Sequence, residues 1–553
     1  MNKTKQLACI ALLFFLTGTM VFATGSRQPA ASTGTPTLQI GMEWGGSVAD
    51  FENNYLTKYL EKLHNIKLEL YQLTGDIPTR ITLLSVANDL PETLFAGQTT
   101  TALLDYGRNG FLISLNRYLE DPSKTPNFNR IPEADRRYML NTGASADGNI
   151  YGFPNYDPDP WNETPYRMYI ERSWLAKLGL QVPKTTDELR NVLIAFRDRD
   201  PNGNGRRDEI GVFGQYGSGS GGYGVNVIIP LINSFIYYND SALALDSTGR
   251  NITTPVTEPG FRRALQYLSS LRVDGLLEPT LFTVDQNGFR ALLNADTPVV
   301  GFTSAGSLSH WTNAGSNPNF LSIAPMIEPL SSPGFPGYTP HILSGVSQTS
   351  SITNKARDVD LAVRVVDSFY EYSMSIIKQF GEEGVDWTRD PAVVRGLSNA
   401  YTYLGVAPAV AWATLWDSWA SASAGINLYW GAPTAATPRY FPEEMKTTRG
   451  YTYVSFDPND PTTMANAVNY QIYLPRRPEY ILPTLTYTLD DAITLAQPQS
   501  DIQTYLRRSI AEFVTGARDI NSDTAWNAYT RELDNMGLQQ WVRIAQATYN
   551  RQR

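Results

Sequence analysis

Cysteine is almost missing from this sequence. The 553 residues include one, Cys9, which lies inside an apolar run near the N-terminus. Without that run, the chain can form no disulfide, use no thiolate nucleophile and offer no sulfur ligand to a metal. Stability must then come from packing and from metal ions held by other atoms.

Histidine and positive charge are also scarce. The three histidines, His64, His310 and His341, show no paired metal-ligand spacing, which argues against a zinc hydrolase. Lys and Arg total 45 against 54 Asp and Glu, giving a formal net charge of -9. Nucleic-acid-binding proteins normally carry a basic patch or stripe, so this balance predicts no nucleic-acid partner.

A long apolar run occurs only at the N-terminus. Lys3 and Lys5 precede the run LACIALLFFLTGTMVFA, which suits cleavage after Ala23. The pattern predicts a cleaved signal peptide over residues 1–23 and an exported protein, periplasmic or extracellular. A lipid-attachment cysteine should close such a run, whereas Cys9 lies early in it, so no lipid anchor is expected. Cleavage removes two lysines and no acids, so the formal net charge falls from -9 to -11.

The rest of the chain has the pattern of an α/β protein with two or more domains, because 553 residues exceed one ordinary core. Residues 24–36 are small and polar and predict a flexible leader. Alternation in LQIGMEW from Leu38, helical spacing over 51–63 and alternation again in IKLELYQL predict strand, helix and strand. That order favours a parallel sheet.

Later segments continue the mixture. Thr185 and Glu188 have the spacing of a capping box at the start of a helix. The apolar run at 298–304 predicts a central strand. Long helical patterns follow at 358–380, 501–517 and 524–549.

Oxygen-bearing side chains alternate in DPNGNGRRDE, residues 200–209. An EF-hand calcium loop takes ligands at positions 1, 3, 5, 7 and 9 and has Gly at position 6. Counted from the first residue, the stretch supplies Gly205 at position 6 and these predicted ligands: Asp200, Asn202, Asn204, the carbonyl of Arg206, and Asp208. The closing Glu of position 12 is replaced by Gly211, and Glu209 is the natural substitute.

Calcium suits this loop better than magnesium, which prefers a small rigid octahedron and retains its waters. The alternative is a plain Asn-Gly turn without an ion. The loop offers no reacting group, so a bound Ca2+ would be structural.

Four segments carry a family resemblance. They are ANDLPETLFAG (87–97), DGNIYGFP (147–154), the block at 174–214 and NMGLQQWVRIAQATYNR (535–551). They resemble family 1 extracellular solute-binding proteins of ABC transporters, especially the large LipO-like and alginate-binding members. The resemblance implies a two-lobe periplasmic-binding-protein-like fold of type II, in which each lobe has a mixed sheet flanked by helices. It also implies a hinge between the lobes, a sugar or related solute in the cleft, and calcium in the loop at 200–209.

The lobe boundaries expected from this resemblance are discontinuous. The N-terminal lobe is placed at 37–155 and 298–352, and the C-terminal lobe at 156–297 and 353–553. The hinge segments leave no change of composition, so these bounds depend on the predicted strands alone.

Aromatic residues are the candidates for sugar binding, because sugar faces stack on rings while carboxylates bind the hydroxyls. Trp44 ends the first predicted strand, and carboxyl ends of strands face the ligand crevice in such lobes. The other predicted ligand-binding residues are Glu43, Tyr151, Trp161, Trp311, Asp386 and Trp387. Core packing is the alternative for each ring, and it is favoured for Tyr151.

Three more tryptophans have a different pattern. Trp412, Trp416 and Trp419 share one face of a predicted helix, which is typical of core packing.

Two other function classes stay open. A secreted glycoside hydrolase needs two carboxylates across a cleft, and these acids could supply them: Glu43, Asp157, Asp159, Glu382, Glu383 and Asp386. A surface adhesion or scaffold module could use the calcium loop, although one copy of the loop argues against it. The GSGSGG run at 217–222 lacks a strand-to-helix setting for dinucleotide binding.

The predicted function is therefore binding without chemistry. A monomeric carrier would hold an oligosaccharide or related small solute and deliver it to ABC permease subunits in the membrane. Lobe closure around the solute would be a population shift driven by contacts to both lobes.

Overall fold

The computed structural model describes most of the chain after the N-terminal segment. The described residues are 34–43, 50–156, 163–216, 224–306, 323–327, 329–341, 345–371, 373–374, 377–378, 381–390, 392–393, 413–415 and 473–553. The predicted signal peptide and the run at 217–222 lie outside them.

Thirteen strands lie in the described part of the chain. In chain order they are β1 (Thr37–Glu43), β2 (Lys67–Leu73), β3 (Thr93–Gln98), β4 (Phe153–Tyr156), β5 (Arg167–Glu171), β6 (Ile210–Val212), β7 (Ala244–Leu245), β8 (Ile252–Thr253), β9 (Val300–Ala305), β10 (Ile323–Ile327), β11 (Val346–Ile352), β12 (Trp387–Thr388) and β13 (Ala413–Thr414).

The α-helices of the same part surround these strands. They are α1 (Tyr55–His64), α2 (Ile77–Val86), α3 (Thr100–Arg108), α4 (Asn116–Leu119), α5 (Glu133–Gly143), α6 (Arg172–Leu178), α7 (Thr186–Asp198), α8 (Ile228–Ile232), α9 (Pro259–Val273), α10 (Gln286–Leu293), α11 (Val359–Asp367), α12 (Leu489–Thr515), α13 (Asp523–Asn535) and α14 (Leu538–Gln552). Short 3-10 turns are Phe128–Arg130, Pro255–Thr257, Pro279–Phe282, Ser368–Tyr370 and Leu474–Arg476.

The first sheet has the order β2-β1-β3-β11-β4. Strand β1 is parallel to β2 and β3, as the strand-helix-strand pattern predicts. Strand β11 is antiparallel to β3 and to β4. The carboxyl ends of β1, β3 and β4 therefore share one edge, at Glu43, Gln98 and Tyr156.

The second sheet has the order β10-β5-β9-β6. Strand β9 is parallel to β6 and antiparallel to β5, with Ala305 opposite Arg167. The carboxyl ends of β6 and β9 thus lie at the edge where β5 begins. Separate buried clusters of apolar side chains support the two sheets, and helices α12–α14 belong to the cluster of the second sheet.

The two sheets and their clusters are the two lobes of the expected mixed α/β fold. Strand β9 lies in the second sheet, so the expected assignment of 298–352 to the first lobe differs from the structure. Helix α11 packs in the first cluster, so the expected assignment of 353–553 to the second lobe differs as well. Both differences arise because contacts between distant residues decide the lobe to which an element belongs. These contacts are strand pairing for β9 and core packing for α11, and local patterns encode neither.

Local patterns were more informative about element starts. Thr185 accepts a hydrogen bond from the Glu188 N–H at 3.1 Å, as a capping box requires. The Glu188 carboxylate accepts from the Lys184 N–H at 2.7 Å instead of from Thr185. The pattern at 524–549 is two helices and not one, because Gly537 adopts φ 99 and separates α13 from α14.

None of the described helices is long and apolar enough to cross a membrane.

Candidate functional site

The site is framed by the two sheet edges defined above, which we call the cleft edges. The chain leaves the first lobe after Tyr156 and returns to it at residue 345, just before Val346, and these two residues are paired across β4 and β11. Both crossings therefore lie at the cleft edge of the first sheet. On the other side, Arg167 begins β5 at the cleft edge of the second sheet. Ligands of open α/β sheets bind outside the carboxyl ends of the strands.

The crossing segments meet on the side of the second lobe. His341 Nε2 lies 3.4 Å from Glu163 Oε2, and the His341 side chain is buried. Tyr237 donates to the His341 carbonyl at 3.0 Å. A third crossing returns near Tyr473, whose carbonyl accepts from the Thr339 hydroxyl at 2.7 Å. We call the region around these contacts, where the crossing segments come together, the hinge.

Four of the predicted ligand-binding residues are close in sequence to the cleft edges. Glu43 is the last residue of β1 and lies at the cleft edge of the first sheet. Trp44, Trp161 and Trp311 lie outside the described residues, so their roles stay predictions. They follow β1, β4 and β9 in the chain, respectively.

Asp386 and Trp387 lie in a turn beside the start of α1. Burial raises the pKa of Tyr55, the first residue of α1, and the charges of Glu382 and Glu383 in this turn raise it further. Asp386 Oδ2 accepts from the Glu382 N–H at 2.8 Å, and burial raises the pKa of this carboxyl. Trp387 is 5% exposed and its indole N–H donates to the Gly381 carbonyl at 3.0 Å. The turn is well placed, but the ring is packed within it, and its sugar contact stays a prediction.

Tyr151 lies away from the cleft edge. It comes two residues before β4, whose opposite end is at the cleft, and its ring is buried among apolar side chains of the first lobe. Its hydroxyl donates to Asp147 Oδ2 at 2.9 Å, and burial raises the pKa of Tyr151 to about 12. The structure therefore separates Tyr151 from the other candidates and agrees with its structural interpretation.

Substitution of Gly107 tests this packing. A Cβ atom at Gly107 would lie 2.2 Å from Tyr151 Cζ, so Gly107→Ala should displace the ring and lower the free energy of unfolding by about 1–2 kcal/mol. The measurement is urea unfolding. Gly97→Ala is the control, because a Cβ there meets nothing within 4 Å. Equal stability of the two variants would contradict this packing role.

The loop at 200–209 is folded around the Asp200 carboxylate. Asp200 Oδ1 accepts from the N–H groups of Gly203 and Asn204 at 2.9 and 3.1 Å, and Oδ2 accepts from Gly205 at 3.0 Å. Asp200 and the two glycines have positive φ, which closes the loop tightly. The side-chain amides of Asn202 and Asn204 both donate to Asp208, at 2.9 to 3.1 Å.

Glu209 is the unusual residue of this loop. It is 9% exposed, and no donor among the described residues forms a hydrogen bond with either of its carboxylate oxygens. Burial raises the pKa of Glu209, the backbone N–H groups of Glu209 and Asn202 lie near enough to oppose this in part, and the charges of Asp200 and Asp208 raise the pKa further. A buried carboxylate without a donor is costly, and a cation is one of the groups that can offset this cost.

The three carboxylates of the loop do not converge in this conformation. Within the described residues, no three Asp, Glu, His or Cys side chains form a cluster able to hold a metal ion. The predicted ligand set also uses two amides and a carbonyl, as calcium loops do. Asp200 keeps a lone pair on Oδ2 beyond its single hydrogen bond there. The residue types and the unpartnered Glu209 fit calcium.

A cavity of about 530 Å³ lies on the flank of the first lobe, between α1, residues 123–127 and α11. His64, at the carboxyl end of α1, lines it, so the cavity is remote from the cleft edge at the start of α1. Burial and the Arg364 charge lower the pKa of His64 to about 4. This cavity does not join the site between the lobes.

No family model matches this chain. A curated relative is the fructooligosaccharide ABC transporter substrate-binding protein FusA of Streptococcus pneumoniae. It is 24% identical over 515 residues, which cover 91% of this chain and 88% of the relative. The resemblance inferred from the sequence motifs, to substrate-binding proteins of ABC transporters, is confirmed by this match.

Solved structures agree on the fold. FusA in complex with kestose superposes with a TM-score of 0.74 at 22% identity, covering 93% of this chain and 99% of that one. An HMO-binding solute-binding protein from Bifidobacterium longum infantis gives a TM-score of 0.71 at 20% identity, covering 94% and 99%. The alginate-binding protein AlgQ2 without calcium ion gives 0.63 at 19% identity, covering 94% and 99%. At these identities the structural likeness shows the fold, and the predicted two-lobe α/β class is confirmed.

Another FusA structure bears on the loop. It is an EF-hand mutant of FusA in complex with fructo-nystose. It superposes with a TM-score of 0.73 at 21% identity and covers 93% of this chain and 99% of that one.

Proposed function

We propose that this chain is the extracytoplasmic substrate-binding protein of an ABC importer, and that it binds an oligosaccharide between its lobes for delivery to permease subunits. The observation that carries the proposal is that the chain leaves the first sheet at the carboxyl end of β4, enters the second sheet at the start of β5, and returns to the first sheet beside Tyr156. Such a hinge allows the lobes to close on a ligand that contacts both. The relative FusA is named as a fructooligosaccharide substrate-binding protein, and one of its structures contains kestose.

A binding role is better supported than hydrolysis. The relatives are named as binding proteins and not as enzymes. Of the acids considered for a hydrolase, Asp386 is bound within its own turn and Glu383 accepts two hydrogen bonds from Arg389, at 2.7 Å each. These two carboxylates serve their own loop and are not arranged as a pair across a cleft.

Calcium binding by the loop at 200–209 is part of the proposal. Asp200, Asn202, Asn204, the Arg206 carbonyl, Asp208 and Glu209 would hold the ion, and Glu209 would gain the charge partner that it lacks. Two similar structures support this assignment: the EF-hand mutant of FusA and AlgQ2 without calcium ion. The ion would fix the exit of α7 and its connection to β6, a structural role.

Sugar binding without turnover is the direct test. Kestose at 100 times its Kd should stabilise the folded protein by about 2.7 kcal/mol by mass action. The corresponding rise in Tm is on the order of 5–10 °C, read by scanning calorimetry. Maltotriose and trigalacturonate, tested in parallel, distinguish a neutral from an acidic preference, and fructose is the monosaccharide control.

Isothermal titration and product analysis complete this test. Heat of binding with the sugar recovered intact is the expected result. Released reducing ends would identify a hydrolase, and the absence of binding across a broad oligosaccharide panel would overturn the proposed function.

A further inference from the structure

An ion pair in the second lobe combines a long separation with side chains that are both about two-thirds buried. Asp240 Oδ2 and Arg507 Nη2 are 3.6 Å apart, and their side chains are 30% and 34% exposed. Charge-assisted pairs in direct contact have separations of about 2.7–2.9 Å. A longer separation is typical of two groups bridged by a water or a ligand hydroxyl.

The pair lies at the cleft edge of the second sheet, beside the hinge. Tyr166 directly precedes Arg167, the first residue of β5 at that edge, and Tyr216 follows the carboxyl end of β6. The charges of Asp240 and Arg507 act on both tyrosines, whose pKa values are raised chiefly by burial. The Tyr216 hydroxyl lies 3.1 Å from the Arg507 carbonyl, which places Arg507 beside the segment that follows β6.

A contact at the hinge also bears on the position of Asp240. Tyr237, three residues before Asp240, donates to the carbonyl of His341, where the chain crosses between the lobes. A ligand held between the lobes would lie next to this crossing, and Asp240 follows the contact by three residues.

The local structure holds the Asp240 carboxylate in one position. Its backbone has φ 66, the left-handed region that glycine adopts at lower cost. Tyr238 donates to Asp240 Oδ1 at 3.1 Å, and Gln503 donates to the Asp240 carbonyl at 2.9 Å. Burial raises the pKa of Asp240, opposed by the Arg507 charge. A strained backbone, a desolvated carboxylate and a partly open cation together are features of functional sites.

Arg507 is held through its backbone. Tyr216 donates to the Arg507 carbonyl at 3.1 Å, which fixes this turn of α12 and leaves the guanidinium beside Asp240. A carboxylate that only accepts and a guanidinium that only donates match a pair of neighbouring hydroxyls on a sugar. The flanking tyrosine rings supply apolar surface for the sugar face.

We propose that Asp240 and Arg507, flanked by Tyr166 and Tyr216, form the hydroxyl-binding subsite that the second lobe contributes to the oligosaccharide site. This inference rests on the proposed function, and it names the residues through which the second lobe recognises a neutral sugar.

The test compares Asp240→Asn and Arg507→Gln with the unaltered protein by isothermal titration, using whichever of kestose, maltotriose and trigalacturonate the unaltered protein binds. Each variant should weaken binding by at least tenfold at neutral pH. Glu512→Gln is the matched control, because Glu512 is on the same helix and pairs with Arg518 at 2.6 Å with similar exposure, 30% and 23%. Its Kd should stay unchanged.

The outcomes separate the subsite from a bracing role. Both variants should keep a Tm close to that of the control variant in the absence of sugar. A lower Tm with an unchanged Kd would show that the pair only braces the lobe and would overturn the inference. If the unaltered protein binds none of the three sugars and none of a broad oligosaccharide panel, the proposed function fails first. If it binds and Asp240→Asn binds equally well, the inference alone fails.

Discussion

Chelation of calcium is expected to lower the Tm of the second lobe by on the order of 5–20 °C. Calcium loops of the EF-hand type commonly have Kd values of about 10⁻⁷–10⁻⁵ M. At about 1 mM calcium, ion binding would then stabilise the lobe by roughly 2.7–5.5 kcal/mol relative to the metal-free form. One kcal/mol shifts the Tm of a lobe of this size by about 2–4 °C. Scanning calorimetry with and without EGTA measures the difference.

Glu209→Gln should remove most of this calcium response. The substitution deletes a charge that has no hydrogen-bond donor among the described residues, so the metal-free variant should be as stable as the metal-free parent or more stable. Asp246→Asn is a matched control, because Asp246 also closes a turn by accepting from the N–H groups of Thr248 and Arg250, at 3.2 and 3.1 Å. That variant should retain the full response to EGTA. A Tm that EGTA does not change in the parent would refute the calcium site.

The start of the fold and the loop at 200–209 were predictable because their signals are local. The strand-helix-strand order of β1, α1 and β2 follows from hydrophobic period alone. The loop at 200–209 carries its predicted ligand pattern within ten residues. Its unpartnered Glu209 was not predictable, because burial and the absence of a donor depend on the surrounding packing.

The lobe boundaries and the new subsite depend on distant residues. Strand β9 joins the second sheet, and β11, less than fifty residues later, joins the first. Tyr216 and Arg507 are 291 positions apart, and no local pattern connects them. The helix expected at 412–419 includes Ala413–Thr414, which is a strand paired with Trp387–Thr388. Cross-strand pairing overrides helical spacing there.

A group of hydrogen bonds around Glu92, at the opposite end of the first sheet, could not be predicted from local sequence patterns either. Glu92 is 3% exposed and accepts from the Gln39 N–H at 3.0 Å and from the Arg357 N–H, Nε and Nη2 at 2.8 to 2.9 Å. Arg357 Nη2 also donates to the Thr37 hydroxyl at 3.1 Å. These bonds join the amino ends of β1 and β3 to the segment that follows β11, at a separation of 265 residues.

Arg357→Ala is therefore expected to lower the free energy of unfolding by about 2 kcal/mol at pH 7. This is less than the loss of a fully buried pair, because Glu92 is buried but the Arg357 side chain is 61% exposed and screened by water. Burial alone would raise the pKa of Glu92, but the hydrogen bonds from Arg357 and Gln39 and the Arg357 charge hold it below its usual value. A lowered pKa stabilises the fold above the unfolded value, near 4.5, and this contribution disappears as the pH falls through the folded value.

The difference between the parent and Arg357→Ala should accordingly be largest at neutral pH and should shrink in acid. In the variant, burial is no longer opposed by the guanidinium, so Glu92 takes up its proton at a higher pH and the penalty is relieved. Urea unfolding at pH 7 and near pH 4 measures both values. Lys124→Ala is the control, because the Lys124–Asp360 pair has a similar contact of 2.7 Å but is exposed at both ends, and its loss should cost less than about 1 kcal/mol. A cost for Arg357→Ala as small as that of the control, or one that does not change with pH, would mean that the exposed guanidinium is screened by water and that backbone donors alone hold Glu92.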